Sequence, residues 1–256
     1  MINNNIKFIR NSISNGKRIN GREMEEFRDV KVEKGVVNTA EGSARVTIGD
    51  TVVLAGVKLR VMEPYPDSPN EGSLMVDLEF VPFGNPSFET GPPKPEAVEM
   101  ARVIDRGIRE SKTIDTEKLC VKAGEAVWSA NIDIHVMGDD GNLIDAGALA
   151  ALAALEDANL LGYDLENKKI LRDEKHEFPI SHKPVAITVV KIGDTLILDP
   201  SLEEWKALDA RITVTTMEDG SICSIQKGGI GHFTKDEVER AADMAIEVGK
   251  ELRNKL

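Results

Sequence analysis

Arg102, Arg106 and Arg109 fall at i, i+4 and i+7 in the stretch EAVEMARVIDRGIRES, Glu96 to Ser111. At 3.6 residues per turn this spacing predicts a helix with three guanidiniums on one face and Val98, Ala101, Ile104 and Ile108 as the opposite, buried stripe. A guanidinium presents a planar donor fork that fits phosphate or carboxylate, so the row can serve as an anion-binding ridge, with a nucleic-acid backbone as the leading ligand. Each arginine also has an acid within helical reach. Glu99 lies three residues before Arg102, Asp105 four before Arg109, and Glu110 four after Arg106. The competing reading is therefore a solvated helix face closed by its own ion pairs.

The rest of the chain sets the background for that choice. It carries 44 acidic against 32 basic residues, a net charge of −12. Such a chain opposes indiscriminate binding to RNA or DNA, because the sequence-independent part of that binding comes from neutralising phosphates with Lys and Arg. Any nucleic-acid role must be local, through a patch or through a channel that other subunits complete.

Other chemistries find little support. His135, His176, His182 and His232 show no paired ligand spacing, and Cys120 and Cys223 belong to no CxxC pattern. No metal site, disulfide framework or cofactor is expected. The opening MINNNIKFIRNSISNGKR lacks the apolar core of a signal peptide, and the small-apolar run Ala146 to Leu155 has ten residues, where a bilayer span takes about 20. A cytoplasmic location without membrane contact is the expectation.

The elements that must position the arginines can be read in outline. Ile6, Ile9 and Ile13 predict an amphipathic N-terminal helix ending near Gly16. ARVTI and TVVLAGVKL, joined by Gly49-Asp50, predict a type II′ hairpin. Leu74 to Phe80 alternates like a half-buried strand. The segment from 82 to 95, with five prolines and two glycines, reads as a crossover leading into the arginine helix. A strand follows at 131–136 and a turn at 139–142. The run DAGALAALAALEDANL then predicts a central, closely packed helix with Asp145 in its first turn. In the second half, Ile192-Gly193-Asp194-Thr195 repeats Ile48-Gly49-Asp50-Thr51 between matching apolar strands. The last helix opens with a capping box, Thr234 and Glu237. The whole reads as an α+β body of two related lobes, with an N-terminal helix over 1–20, a first lobe over 21–180 and a second over 181–256.

Several motifs in order, Asn20-Gly21-Arg22, Glu26-Phe27-Arg28, Glu41-Gly42-Ser43-Ala44, Gly49-Asp50-Thr51, the arginine helix, the Gly/Ala helix and Ile225-Gln226-Lys227-Gly228-Gly229, make the chain resemble the ribonuclease PH family. Within that family it looks like the non-catalytic ring subunits of the archaeal exosome. The resemblance implies a duplicated β-α fold (ribosomal protein S5 domain 2-like) and a catalytic sister subunit. It also implies three such heterodimers closed into a hexameric ring, RNA-binding cap proteins, and single-stranded RNA threading the channel to sites where phosphate cleaves its 3′ end.

In active members an Asp-Gly-Gly-Thr-Arg-like turn grips the phosphate. Here it reads Asp140-Gly141-Asn142-Leu143-Ile144, so Ile144 stands where the phosphate arginine belongs. Asp139, Asp140 and Asp145 crowd that helix start, and the sequence offers no nearby Arg or Lys to offset them. The paired catalytic aspartates correspond to Glu203 and Asp209. Glu203 also falls within Ser201-x-x-Glu204, a capping box on a short helix, and Asp199 is a nearby carboxylate to which no pattern assigns a role. The resemblance further implies that the helix arginines, Arg102 and Arg106 above all and Arg109 beside them, reach RNA phosphates near the sister's active site. These departures favour a non-catalytic subunit that completes the ring, shapes the sister's site and holds RNA. A self-sufficient phosphorolytic exoribonuclease and a pure scaffold without RNA contact stand as the rivals.

Overall fold

The computed structural model describes residues 2–256, with side chains from Asn5 onward. Helix α1 spans Ile2–Ser14. The first sheet is built from β1 (Val30–Lys34), β2 (Gly42–Ile48), β3 (Thr51–Met62), β4 (Ser73–Phe80), β5 (Cys120–Lys122) and β6 (Ala126–Gly138), in the order β1-β2-β3-β6-β4 with β5 beside β6. Helix α2 (Pro95–Glu110) enters between β4 and β5, and α3 (Leu143–Asp157) follows β6. A separate hairpin, β7 (Asn159–Asp164) and β8 (Lys169–Glu177), leads to the second sheet. That sheet contains β9 (Val185–Ile192), β10 (Thr195–Leu198), β11 (Ala210–Thr216) and β12 (Ile222–Gly229), in the order β10-β9-β11-β12, with α4 (Leu202–Ala207) and α5 (Lys235–Arg253) completing the chain.

The expected central helix is α3. It packs against β2, β3 and β6 of the first sheet and β9 of the second, and it is buried almost all round because its Ala and Gly residues let backbones approach. Gly42 shows how close that approach is, since a Cβ there would lie 2.4 Å from the Ala154 carbonyl oxygen. Helix α1 docks elsewhere. Ile9 and Ile13 form a second apolar cluster with Val190, Ile192, Ile197 and Ala207 of the second lobe. Among the described residues no helix is long and apolar enough to cross a membrane.

Both predicted hairpins form, with Ile48 opposite Thr51 and Ile192 opposite Thr195. Gly49 and Gly193 take φ +57° and +61°, while neither Asp50 nor Asp194 has positive φ, as a type II′ turn requires. The two hairpins are embedded differently. In the first lobe the second hairpin strand, β3, pairs onward with β6, whereas in the second lobe it is the first strand, β9, that pairs onward with β11. Length accounts for this, since β10 has only four residues and β9 offers eight buried ones. The β7–β8 hairpin carried no sequence signal, because KILRDEKHE is charged and almost wholly exposed.

Candidate nucleic-acid interface

Helix α2 starts with proline at its first turn and buries Ala97, Met100, Ala101, Val103, Ile104, Gly107 and Ile108, packing on β4, α3 and β12. Val98 departs from expectation. It is 47% exposed, because it lies one turn before Arg102 on the same side of the helix. Arg102, Arg106 and Arg109 are all exposed along that side.

Their pairing differs sharply. Arg109 donates through Nε and Nη2 to Asp105 at 3.1 and 2.7 Å, and through Nη2 to the Leu74 carbonyl of β4 at 3.0 Å. The bond to Asp105 raises its pKa above the ordinary arginine value. Arg106 faces Glu110 at 3.4 Å, both side chains being about half exposed, and such a pair holds weakly. Arg102 makes no ion pair among the described residues. Glu99, the acid its sequence places beside it, is bound instead by Arg211 of β11 at 2.6 Å. Availability for an external anion therefore falls in the order Arg102, Arg106, Arg109.

The N-terminus of α3 is the second cationic place in the chain. Ile144 is fully buried in the hydrophobic core, so its side chain lines no surface pocket. Asp199, fully buried and at φ +45°, occupies the polar space in front of the helix. It accepts from Arg28 Nε and Nη2 at 2.7 and 2.8 Å, from the Arg28 amide at 2.9 Å, from Arg22 Nη1 at 2.7 Å and from Asn142 Nδ2 at 2.8 Å. Arg28 Nη1 also reaches Asp140 at 2.8 Å. The expectation that no base offsets the acids at this helix start is thus corrected, since Arg22 and Arg28 arrive there from the N-terminal segment. Their guanidiniums are already paired with the chain's own carboxylates, Asp199 and Asp140.

The titration behaviour follows this geometry. Burial alone would raise the Asp199 pKa, but the hydrogen bonds and charge of Arg28 outweigh it and hold the carboxyl below its ordinary range. Asp140 goes the other way, raised by burial in spite of Arg28. Asp145 is fully buried, accepts from the Thr188 amide at 3.0 Å, and is pushed up to about 7 by burial.

Glu203 and Asp209 have different surroundings. Glu203 is exposed on α4, where the capping box of Ser201 and Glu204 forms as expected. Asp209 binds the Arg10 guanidinium and accepts from the Gly193 amide at 2.8 Å, which ties α1 to the second hairpin. Among the described residues no cluster of His, Cys, Asp and Glu is arranged to hold a metal. Asp199, Arg22, Arg28 and Arg211 were left without a role by sequence reasoning, because their partners lie far away in the chain.

The chain matches the model of the 3′ exoribonuclease family, domain 1, over residues 26–160, and that of domain 2 over residues 182–248. It is 48% identical to the exosome complex component Rrp42 of Thermoplasma acidophilum, covering 97% of this chain and 93% of the relative. Among solved structures it resembles a chain of the Archaeoglobus fulgidus exosome with RNA bound to the active site, at 38% identity, a TM-score of 0.92 and coverage of 99% and 98%. A chain of an archaeal exosome core matches at 36% identity, a TM-score of 0.87 and coverage of 99% and 96%.

Proposed function

The chain belongs to the 3′ exoribonuclease, or ribonuclease PH, family, and from that premise we propose that it acts as a non-catalytic component of an exosome core, alternating with a catalytic sister in a hexameric ring and lending arginines to the sister's RNA path. The observation that carries this reading is the contrast between its two cationic places. At α3 the arginines are consumed internally by Asp199 and Asp140, and Ile144 is buried. On α2, Arg102 and Arg106 stand exposed with no strong partner. Phosphorolysis needs a positive pocket for the attacking phosphate and an acid for the leaving oxygen. A chain that neutralises the first and ties Asp209 to Arg10 is suited to positioning RNA rather than cleaving it.

The likeness to exosome structures supports assembly with a sister subunit, and the exposed ridge supports phosphate contact across that interface. The domain bounds 1–20, 21–180 and 181–256 remain part of this proposal. Reconstitution tests it. The purified chain alone is expected to release no nucleoside diphosphates from single-stranded RNA and inorganic phosphate, while addition of the catalytic sister gives activity in a particle of higher mass. Phosphate-dependent release by the chain alone, at a rate comparable to the assembled particle, would overturn the reading in favour of a self-sufficient enzyme.

A further inference from the structure

Glu99 sits three residues before Arg102 on α2, a spacing at which acid and base on a helix meet. Left to the helix alone, Glu99 would neutralise Arg102. The tertiary structure diverts it. Arg211 Nη2 of β11 lies 2.6 Å from Glu99 Oε1. The Arg211 side chain is only 5% exposed, against 56% for Glu99, so the base is the packed member of the pair and the acid the exposed one. Its guanidinium is 5.7 Å from the centre of the Trp205 ring and lies against Gly228, where a Cβ would come within 2.6 Å of its Cζ. Its Nη1 is buried without a partner among the described residues, so Glu99, held through Nη2 alone, is the one carboxylate bonded to this packed guanidinium. A buried charge of that kind competes well for a half-exposed acid against a surface arginine.

We infer that Arg211 is a positioning residue that withholds Glu99 from Arg102 and so keeps the Arg102 guanidinium free for RNA phosphate. The inference rests on the reading of Arg102 as an RNA contact. It adds that the freedom of this contact is set by a residue of the second lobe that itself touches no RNA. Glu99 then acts as a latent inhibitor on the ridge, engaged whenever Arg211 is lost.

The test uses the ring assembled with the catalytic sister and a short oligoadenylate RNA as probe, with affinity measured over a range of salt concentrations. Arg211→Met is expected to weaken binding roughly three- to tenfold and to lower the log–log salt slope by about 0.7, the contribution of one phosphate contact on a single strand. Adding Glu99→Gln to Arg211→Met should restore both quantities, because the released acid no longer carries charge. Adding Glu96→Gln, an equal change of charge one turn earlier, should not. Glu99→Asp leaves Arg211 in place but draws the carboxylate out of its reach, and is expected to weaken binding in the same direction even where Arg211→Met fails to assemble. If Arg102→Ala weakens binding while Arg211→Met and Glu99→Asp leave it unchanged, the positioning role is overturned and the ridge reading survives. If Arg102→Ala itself changes nothing, both fall together.

Discussion

Arg28 holds Asp199 at three points, through its amide, Nε and Nη2, at 2.9, 2.7 and 2.8 Å, across 171 residues of sequence. Arg22 and Asn142 complete the shell around that carboxylate. The polar space at the start of α3 is thus filled by the chain itself, and the network joins the segment before β1, the α3 start and the second lobe at one buried point.

Asp199→Ala should therefore cost stability rather than alter RNA binding directly. Removing one member of a buried pair leaves the other charges uncompensated, a loss of roughly 3–5 kcal/mol. Thermal or denaturant unfolding of the chain measures it. A loss under about 1 kcal/mol, the range of an exposed ion pair, would mean that the network is not holding the three segments together.

Ile144→Arg, which supplies the arginine that the family resemblance leads one to expect at this position, is expected to confer no phosphorolysis on the isolated chain. The side chain at this position is fully buried, so the substitution places an unpaired charge in the core and destabilises by several kcal/mol, about 3 or more. A stable variant that releases nucleoside diphosphates would show that the position opens onto a phosphate site.

Asp145 gives stability a definite pH dependence. Its folded pKa, pushed up to about 7, lies above the ordinary 3.8, so the folded state binds the proton more tightly than the unfolded chain. Its contribution is fully present below about pH 4 and is lost as pH rises towards 7. Asp145 Oδ1 and Asn142 Oδ1 are both buried without a hydrogen-bond partner among the described residues. A proton on Asp145 removes the charge that burial makes costly there. Asp145→Asn, which mimics the protonated acid, should raise stability at pH 8 by on the order of 1–3 kcal/mol. It should also flatten the profile between pH 4 and 7. Asp199 acts in the opposite sense, its depressed pKa giving stability that is lost as pH falls below about 4. An unchanged profile for Asp145→Asn in chemical denaturation would refute the assignment.

Arg102→Ala/Arg106→Ala should leave the ring intact, weaken RNA binding at every sequence and flatten its salt dependence. Two phosphate contacts on single-stranded RNA contribute about 1.4 to the log–log slope. The pure-scaffold alternative expects the slope to stay where it was, with at most about 0.5 kcal/mol lost from the Arg106–Glu110 pair. Titrations of the wild-type and variant rings at several salt concentrations decide between them.

Glu203→Ala, assembled with a wild-type sister, should keep most phosphorolytic activity, since Glu203 is an exposed residue of a short helix whose cap is formed by Ser201 and Glu204. Asp209→Ala should instead loosen α1, because Asp209 ties Arg10 to the Gly193 turn. Protease sensitivity of the N-terminal segment reports that loss. An activity drop for Glu203→Ala as deep as that from removing the sister's own catalytic acid would place Glu203 in the chemistry.

Local order determined much of this molecule. The 3.6-residue period of α2, the Gly-Asp turns after Ile48 and Ile192, the capping boxes at Ser201 and Thr234, and the small residues of α3 each act within a few positions, so they are legible without the fold. The ordered motifs along the chain likewise carried the family. What the sequence left open were choices between partners. Glu99 has Arg102 three residues away and Arg211 far along the chain, and only the packing of β11 beside α2 awards it to the latter. Asp140 and Asp199 have no base beside them in sequence, yet they meet Arg28 at the start of α3. Val98 has an apolar side chain but lies on the exposed arc of the helix. An ion pair's strength depends on burial, and a residue's exposure depends on which neighbour arrives. Both are properties of the assembled lobes, which is why the availability of Arg102 and the filling of the polar space at the start of α3 were decided by tertiary structure alone.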